Sequence, residues 1–373
     1  MAQKITIEQF LEMSRQYPIL DVRSPGEYVH AHIPGAYSLP LFTDEERKVV
    51  GTAYKQQSRQ TAIKIGLDYF GVKMRKMVEE VEGLIGNWQL AISNKQHTTK
   101  LEGLLPIANC ILLHCWRGGM RSGGVAWLLD LYGFKVYTLE GGYKTYRKWV
   151  RDQFERQWQM TVLGGYTGSA KTEVLKKVKQ TGSTVIDLEA LAHHKGSAFG
   201  ALGELKQPTQ EMFENLLAQE LNCLKNSLDQ HAFIEDESQR IGLLKIPDPF
   251  WATMRKSPVC FLDIPFEERL DYLTNDYGRH EKEQLVNAII RIQKRLGGLE
   301  TKTAINFLVD DNYKECFRIL LKYYDKWYSK GLLNRDNLDG LLHKVPCNTI
   351  DVKANAEKVL DGIKKITAAK VNS

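Results

Sequence analysis

Short apolar runs alternate with amphipathic stretches along this chain, and their spacing predicts its elements. Pro18 to Val22 reads as a short buried strand. It runs into Ser24-Pro25-Gly26-Glu27, where a serine cap, a proline at the first helical position and a glutamate three residues after the cap predict a helix start. Ile107 to His114 predicts a second strand, Ser122 to Leu131 a helix, and Lys135 to Leu139 a third strand stopped by Gly141-Gly142. From Tyr143 to Gln159 the pattern turns helical, charged and aromatic, which predicts a connector over 143–159. A new alternation opens at Met160 to Leu163, with strands predicted at Ser183 to Asp187, Ala232 to Glu235, Val259 to Ile264 and Thr349 to Val352. A long helical region over 267–330 separates the last two. Strands alternating with helices mark an α/β protein, so 1–142 and 160–373 predict two α/β domains.

Composition agrees with this picture and removes other classes. A length of 373 residues suits two domains, and 43% hydrophobic with 26% charged residues excludes a disordered or collagen-like chain. No long uncharged apolar run is present, so no membrane span is expected. Met1 to Thr6 lack the apolar stretch of a secretory leader, which points to the cytoplasm. The net charge of +6 is uneven: residues 1–150 hold 19 basic and 14 acidic residues, a surplus of five. A surplus placed there suits a polyanionic partner. The six cysteines form no C-x-x-C pair and no Cys/His cluster of zinc-ligand spacing. Five suit packing.

The sixth, Cys115, opens the loop Cys115-Trp116-Arg117-Gly118-Gly119-Met120-Arg121-Ser122, between a predicted strand and a predicted helix. A cysteine there stands at the carboxyl end of a parallel strand, where ligands bind in open α/β sheets. Gly118 and Gly119 let successive N–H groups point at one spot as an anion nest. The following helix start and the charges of Arg117 and Arg121 would favour the thiolate, making Cys115 the candidate nucleophile.

A second loop, Gly165-Tyr166-Thr167-Gly168-Ser169-Ala170-Lys171-Thr172, follows the strand ending at Leu163 and precedes a helical stretch. It fits the pattern G-x-x-x-x-G-K-S/T with one departure, Ala170 in place of the last glycine, which a helical backbone would accommodate. Gly165, Gly168 and Ser169 would form an amide cradle for phosphate, Lys171 would reach phosphate oxygens, and Thr172 would be available to Mg²⁺. Asp187, Glu189, Glu235 and Asp236 end the next two strands and could hold that metal through water or polarise a nucleophile. The basic, glycine-containing segment from His193 to Gly200 suits contact with a phosphate or nucleotide.

Asp21-Val22-Arg23, His32-Ile33-Pro34-Gly35-Ala36 and the loop from Cys115 to Arg121 together resemble a rhodanese domain. That resemblance implies a cysteine carrying a chalcogen as a persulfide or its selenium equivalent, with Asp21 and Arg23 organising the loop and Arg121 closing it. It leaves His30, His32 and His114 structural.

Further segments join the two loops: Asp44 to Arg47, Val50 to Gln57, Glu140 to Lys144, Asp187-Leu188-Glu189, His194 to Gly200, and Glu235 to Ser238 with Ile241-Gly242. Across most of the chain they resemble the tRNA 2-selenouridine synthase family, an N-terminal rhodanese-like domain fused to a C-terminal P-loop α/β domain with a helical extension. The resemblance fades after about residue 250, where Tyr323-Tyr324-Asp325 still fits.

The family implies replacement of sulfur by selenium at C2 of wobble 2-thiouridine in tRNA, with selenophosphate as donor. It also implies an S-geranyl intermediate made from geranyl diphosphate. These are co-substrates rather than resident cofactors, and a selenophosphate-producing enzyme is an expected partner. Candidate tRNA contacts are Arg47, Lys48, Lys55, Arg59, Lys73, Arg75 and Lys76, with His194 and Lys195 in the second domain. Tyr54, Tyr69 and Phe70 could stack a base or fill a core. Two other readings stay open: a rhodanese-type sulfurtransferase fused to a small-molecule kinase, and a sulfur-carrier module that binds tRNA and catalyses nothing.

Overall fold

The computed structural model of the chain describes residues 2–96, 109–225 and 231–371. They form two compact units, Met1–Asp152 and Gln153–Ser373.

The first unit is built on strands β1 (Gln3–Ile5), β2 (Ile19–Asp21), β3 (Tyr37–Ser38), β4 (Cys110–His114) and β5 (Lys135–Leu139). Their order is β1-β5-β4-β2-β3 and every pairing is parallel. The opening residues of the strand predicted from Ile107 lie outside the described residues.

Among the described residues seven helices accompany this sheet: α1 (Ile7–Met13), α2 (Pro25–His30), α3 (Asp44–Gln56), α4 (Arg59–Gly71), α5 (Met74–Gln96), α6 (Met120–Tyr132) and α7 (Gly142–Phe154). The predicted start at Ser24 is present, with the Ser24 N–H donating to the Glu27 carboxylate at 3.2 Å. A core of Leu20, Ile111, Leu113, Val125, Leu129 and Val136 lies between sheet and helices. Burying each such side chain contributes roughly 1.5–3 kcal/mol. The division between the units falls inside α7, the segment expected as connector, and its Tyr143 and Tyr146 are buried.

The second unit holds β6 (Gln159–Gly165), β7 (Thr184–Ile186), β8 (His231–Glu235), the antiparallel pair β9 (Arg240–Ile241) and β10 (Leu244–Lys245), β11 (Val259–Asp263) and β12 (Leu342–Pro346). The main sheet is again parallel, ordered β12-β11-β6-β8-β7. Its first helices are α8 (Lys171–Gln180), α9 (Leu188–Ala192), α10 (Gln210–Lys225) and α11 (Asp248–Lys256). The long helical region is four helices, α12 (Phe266–Tyr277), α13 (Lys282–Leu296), α14 (Gly298–Val309) and α15 (Tyr313–Leu333), followed by short α16 (Leu338–Leu341) and terminal α17 (Val352–Val371).

The strand predicted over Thr349–Val352 is a misreading. The edge strand is β12, and Asp351 starts α17 by accepting the N–H groups of Lys353 and Ala354, both at 3.0 Å. Among the described residues no helix is long and apolar enough to cross a membrane.

Candidate functional site

In each parallel sheet an inner strand ends at one of the candidate loops. In the first unit, β4 delivers Cys115 between β2 and β5. The thiol is buried, 3% exposed, and its sulfur lies 3.2 Å from the Ser122 hydroxyl. Burial alone would push the thiol pKa up. Hydrogen bonds from the Ser122 hydroxyl and from the N–H groups of Ser122, Arg117 and Gly119 outweigh it and hold the thiol below its ordinary value.

Arg121, expected to stabilise the thiolate by its charge, instead donates to Glu27 at 2.8 Å. Arg47 reaches the same Glu27 oxygen at 2.9 Å. The donors to the thiol therefore come from the loop backbone and a serine. Arg117 is exposed beside them.

The loop is seated against the turn before α7. The Tyr143 and Lys144 N–H groups donate to the Cys115 and Trp116 carbonyls at 2.8 and 3.0 Å. Gly142 has φ +60°, and a Cβ there would stand 2.3 Å from the Cys115 carbonyl oxygen. Gly118, at φ +63°, would meet the Leu139 carbonyl at 2.7 Å. Only glycine fits either side of this contact.

Beneath it, Arg23 grips Asp21 through Nε at 2.9 Å, donates to the Ala31 carbonyl at 2.7 Å, and stacks 3.8 Å from the Tyr143 ring centre. Burial opposes ionisation of Asp21, but the neighbouring His114 and Arg23 outweigh it and hold its carboxyl low. His114 is fully buried, 3.8 Å from Asp21, and burial keeps its pKa down. Asp21 and Arg23 thus brace the loop from below.

In the second unit the Gly165–Thr172 loop joins β6 to α8 beside a cavity of about 810 Å³. Ala170 has φ +51°, a left-handed conformation, so the helical backbone expected to accommodate its methyl group is absent and strain takes its place. Gly165 and Gly168 also have positive φ, and Ser169 is buried with its hydroxyl donating to the Tyr166 carbonyl at 2.7 Å.

Lys171 turns inward, 3.3 Å from the Gly165 carbonyl and 3.7 Å from Glu235. Burial would lower its pKa, but Glu235, Glu237 and Glu189 raise it. Thr172 donates to Glu189 and Glu235, each at 3.2 Å.

Glu189, Glu235 and Glu237 bring one carboxylate oxygen each within 4.8 Å of one another. Burial first, then repulsion from Glu189, pushes Glu235 up to about 8; burial with repulsion from Glu189 and Glu235 raises Glu237, and Glu189 is raised by burial. Crowded hard oxygens beside a threonine hydroxyl suit a divalent cation such as Mg²⁺. Among the acids named from sequence, Glu189 and Glu235 meet here, whereas Asp187 caps α9 by accepting the Ala190 N–H at 2.9 Å.

Asp236 is also spoken for. Its carboxylate accepts from the Tyr328 hydroxyl at 2.7 Å and from Arg335. The Tyr328 oxygen accepts the Gly165 N–H at 3.1 Å. From α12, Arg269 donates to the Thr167 carbonyl at 3.0 Å and to both oxygens of Asp325 at 2.9 and 2.8 Å. Helix α15 therefore holds the phosphate loop twice, through Tyr328 and through Asp325. Sequence reasoning singled out neither Arg269 nor Tyr328.

Of the RNA candidates, Lys55 and Arg59 are exposed on α3 and α4, while Lys73 pairs with Glu46 and Arg75 with Glu79. Phe70 is buried in the core and Tyr54 is exposed. His194 is not surface-facing as expected. It is 9% exposed, and a Cβ on Gly200 or Gly242 would come within 2.8 Å of its ring, so it fills a slot between two glycines. Lys195 is exposed and lines the cavity.

Known proteins resemble the chain over both units. The rhodanese-like domain family matches residues 6–66, and the tRNA 2-selenouridine synthase AAA domain family matches residues 158–339. A tRNA 2-selenouridine synthase of a Sulfurovum species is 33% identical over 343 residues, covering 83% of this chain and 87% of that protein. One from Bdellovibrio bacteriovorus is 37% identical over 362 residues, covering 85% and 89%. A third, from Hydrogenovibrio crunogenus, is 31% identical over 378 residues, covering 93% and 95%.

Proposed function

The chain belongs to the tRNA 2-selenouridine synthase family, and from that premise we propose that it replaces sulfur by selenium at C2 of wobble 2-thiouridine in tRNA. The observation that carries this reading is the Cys115 cradle, a thiol held low by three backbone N–H groups and the Ser122 hydroxyl at the end of β4. Such a nest receives anionic selenophosphate beside the Cys115 thiolate, its selenium staying at the selenide level and bonded to phosphorus.

The second loop takes the diphosphate of geranyl diphosphate. Loop amides and Lys171 bind the phosphate oxygens, while Glu189, Glu235, Glu237 and Thr172 would hold Mg²⁺, which when bound neutralises a diphosphate leaving group. The thiocarbonyl sulfur attacks C1 of the geranyl group, the C–O bond breaks and diphosphate departs. Alkylation makes the sulfur a better leaving group. The selenium of selenophosphate adds at C2, and the C–S bond breaks with departure of geranylthiol. Water attacks phosphorus, so that the P–Se bond breaks and phosphate leaves. This work belongs in the cytoplasm, with tRNA as substrate and a selenophosphate-producing enzyme as partner.

Mass analysis of wobble nucleosides tests the division of labour. Cells lacking the chain and given the unaltered protein should make 2-selenouridine. With Cys115→Ala they should accumulate the S-geranyl nucleoside, and with Lys171→Ala they should keep 2-thiouridine. The same nucleoside from both variants, at equal protein levels, would refute the assignment of one step to each loop.

A further inference from the structure

The cavity beside the phosphate loop has an exposed aromatic wall that the chemistry above leaves without a role. Trp327 of α15 lines this cavity yet remains 42% exposed. The Arg295 guanidinium, from α13, lies over its ring, 5.8 Å from the centre, and the Lys330 ammonium, one turn further along α15, lies over it at 5.3 Å. Tyr323 meets the ring edge-on at 6.4 Å. Arg291, exposed one turn before Arg295 on the same face of α13, extends the positive rim. Among the described residues none of Arg291, Arg295 and Lys330 is paired with a carboxylate.

A singly exposed tryptophan is ordinary. This one combines three features: a wall of the cavity that contains the phosphate loop, a partly exposed indole, and cations over its ring that pair with no carboxylate among the described residues. At about 810 Å³ the cavity is large for a single diphosphate ester and has room for a nucleoside beside it. An apolar π-face with flanking cations matches an unstacked base and its two neighbouring phosphates.

We propose that Trp327, flanked by Arg295 and Lys330, is the platform on which an unstacked base of the RNA substrate stacks when it enters the phosphate-loop cavity. The proposal rests on the tRNA reading above and adds the place where the base is received. The indole supplies stacking without regard to base identity, and the cations fix the strand.

The test is a binding titration of full-length protein with an anticodon stem–loop RNA bearing 2-thiouridine at the wobble position. Trp327→Ala should weaken binding roughly 5- to 150-fold, the equivalent of ~1–3 kcal/mol per stacked base, whereas Trp327→Phe should stay within about threefold of the unaltered protein. The same stem–loop with an abasic wobble nucleotide separates stacking from a general loss of structure. The unaltered protein should lose affinity for it by a similar factor, and Trp327→Ala should lose little more. Equal affinity of the alanine variant and the unaltered protein, or a full further loss on removing the base in the alanine variant, overturns the platform. Failure of the unaltered protein to bind either RNA removes the tRNA reading itself, a distinguishable result.

Discussion

At Cys115 the lowering of the thiol pKa rests on a hydroxyl seven residues downstream and on loop N–H groups, not on the side-chain charges of the arginines between them. Ser122→Ala removes the strongest donor to the sulfur, so burial should regain ground and the thiol pKa should rise. The pH at which iodoacetamide alkylation of Cys115 is half-maximal should therefore move up. An unmoved profile would return the effect to Arg117 or Arg121. The sequence made Cys115 legible because a glycine pair and a helix start surround it. It hid the source of the effect, because Arg121 is charged in any reading and only the fold shows that Glu27 has taken that charge. Ala170 is a similar case: its identity was visible, but its left-handed backbone was not. Gly142 shows the converse, since a plain glycine pair after β5 proved to be the close fit for the Cys115 carbonyl.

Among the elements, α15 contributes most that sequence could not show. Its tie from Tyr328 to Gly165 spans 163 positions, and no local periodicity encodes a contact at that range. The strands were readable because parallel strands buried on both faces are continuous apolar runs. Thr349–Val352 misled because Asn348-Thr349-Ile350-Asp351 mixes β-branched residues with a helix cap. Two variants measure the clamp. Asp325→Ala strands the nearly buried Arg269 and should destabilise the second unit by about 3–5 kcal/mol. Tyr328→Phe leaves Gly165 N–H and one Asp236 oxygen unpaired and should cost about 1–3 kcal/mol. Urea unfolding that ranked them in the opposite order would show that Tyr328, and not the Arg269–Asp325 pair, is the main tie.

For the whole molecule, the uneven charge of the sequence takes a narrower form. Arg47, Lys73 and Arg75 are paired with carboxylates, which leaves Lys48, Lys55, Arg59 and Lys76, with Lys64 beside them, as exposed cations of that region that can meet RNA phosphates. If three of them do so, affinity for tRNA should fall about 20- to 40-fold between 50 and 200 mM salt. A flat titration would remove this face from the RNA interface. Among the described residues the two units also share no strand: every strand of the first sheet ends by Leu139, and every strand of the second begins at Gln159 or later. On the ribosome this separates their folding in time. The first sheet has all its strands once the chain has been made through β5, so the first unit can fold while the second is still being translated. The second must wait for its edge strand β12 near the end of the chain, roughly 10–40 s later at about 5–20 residues per second. During that interval the nascent protein would already carry a formed Cys115 cradle, with its partner loop still unbuilt.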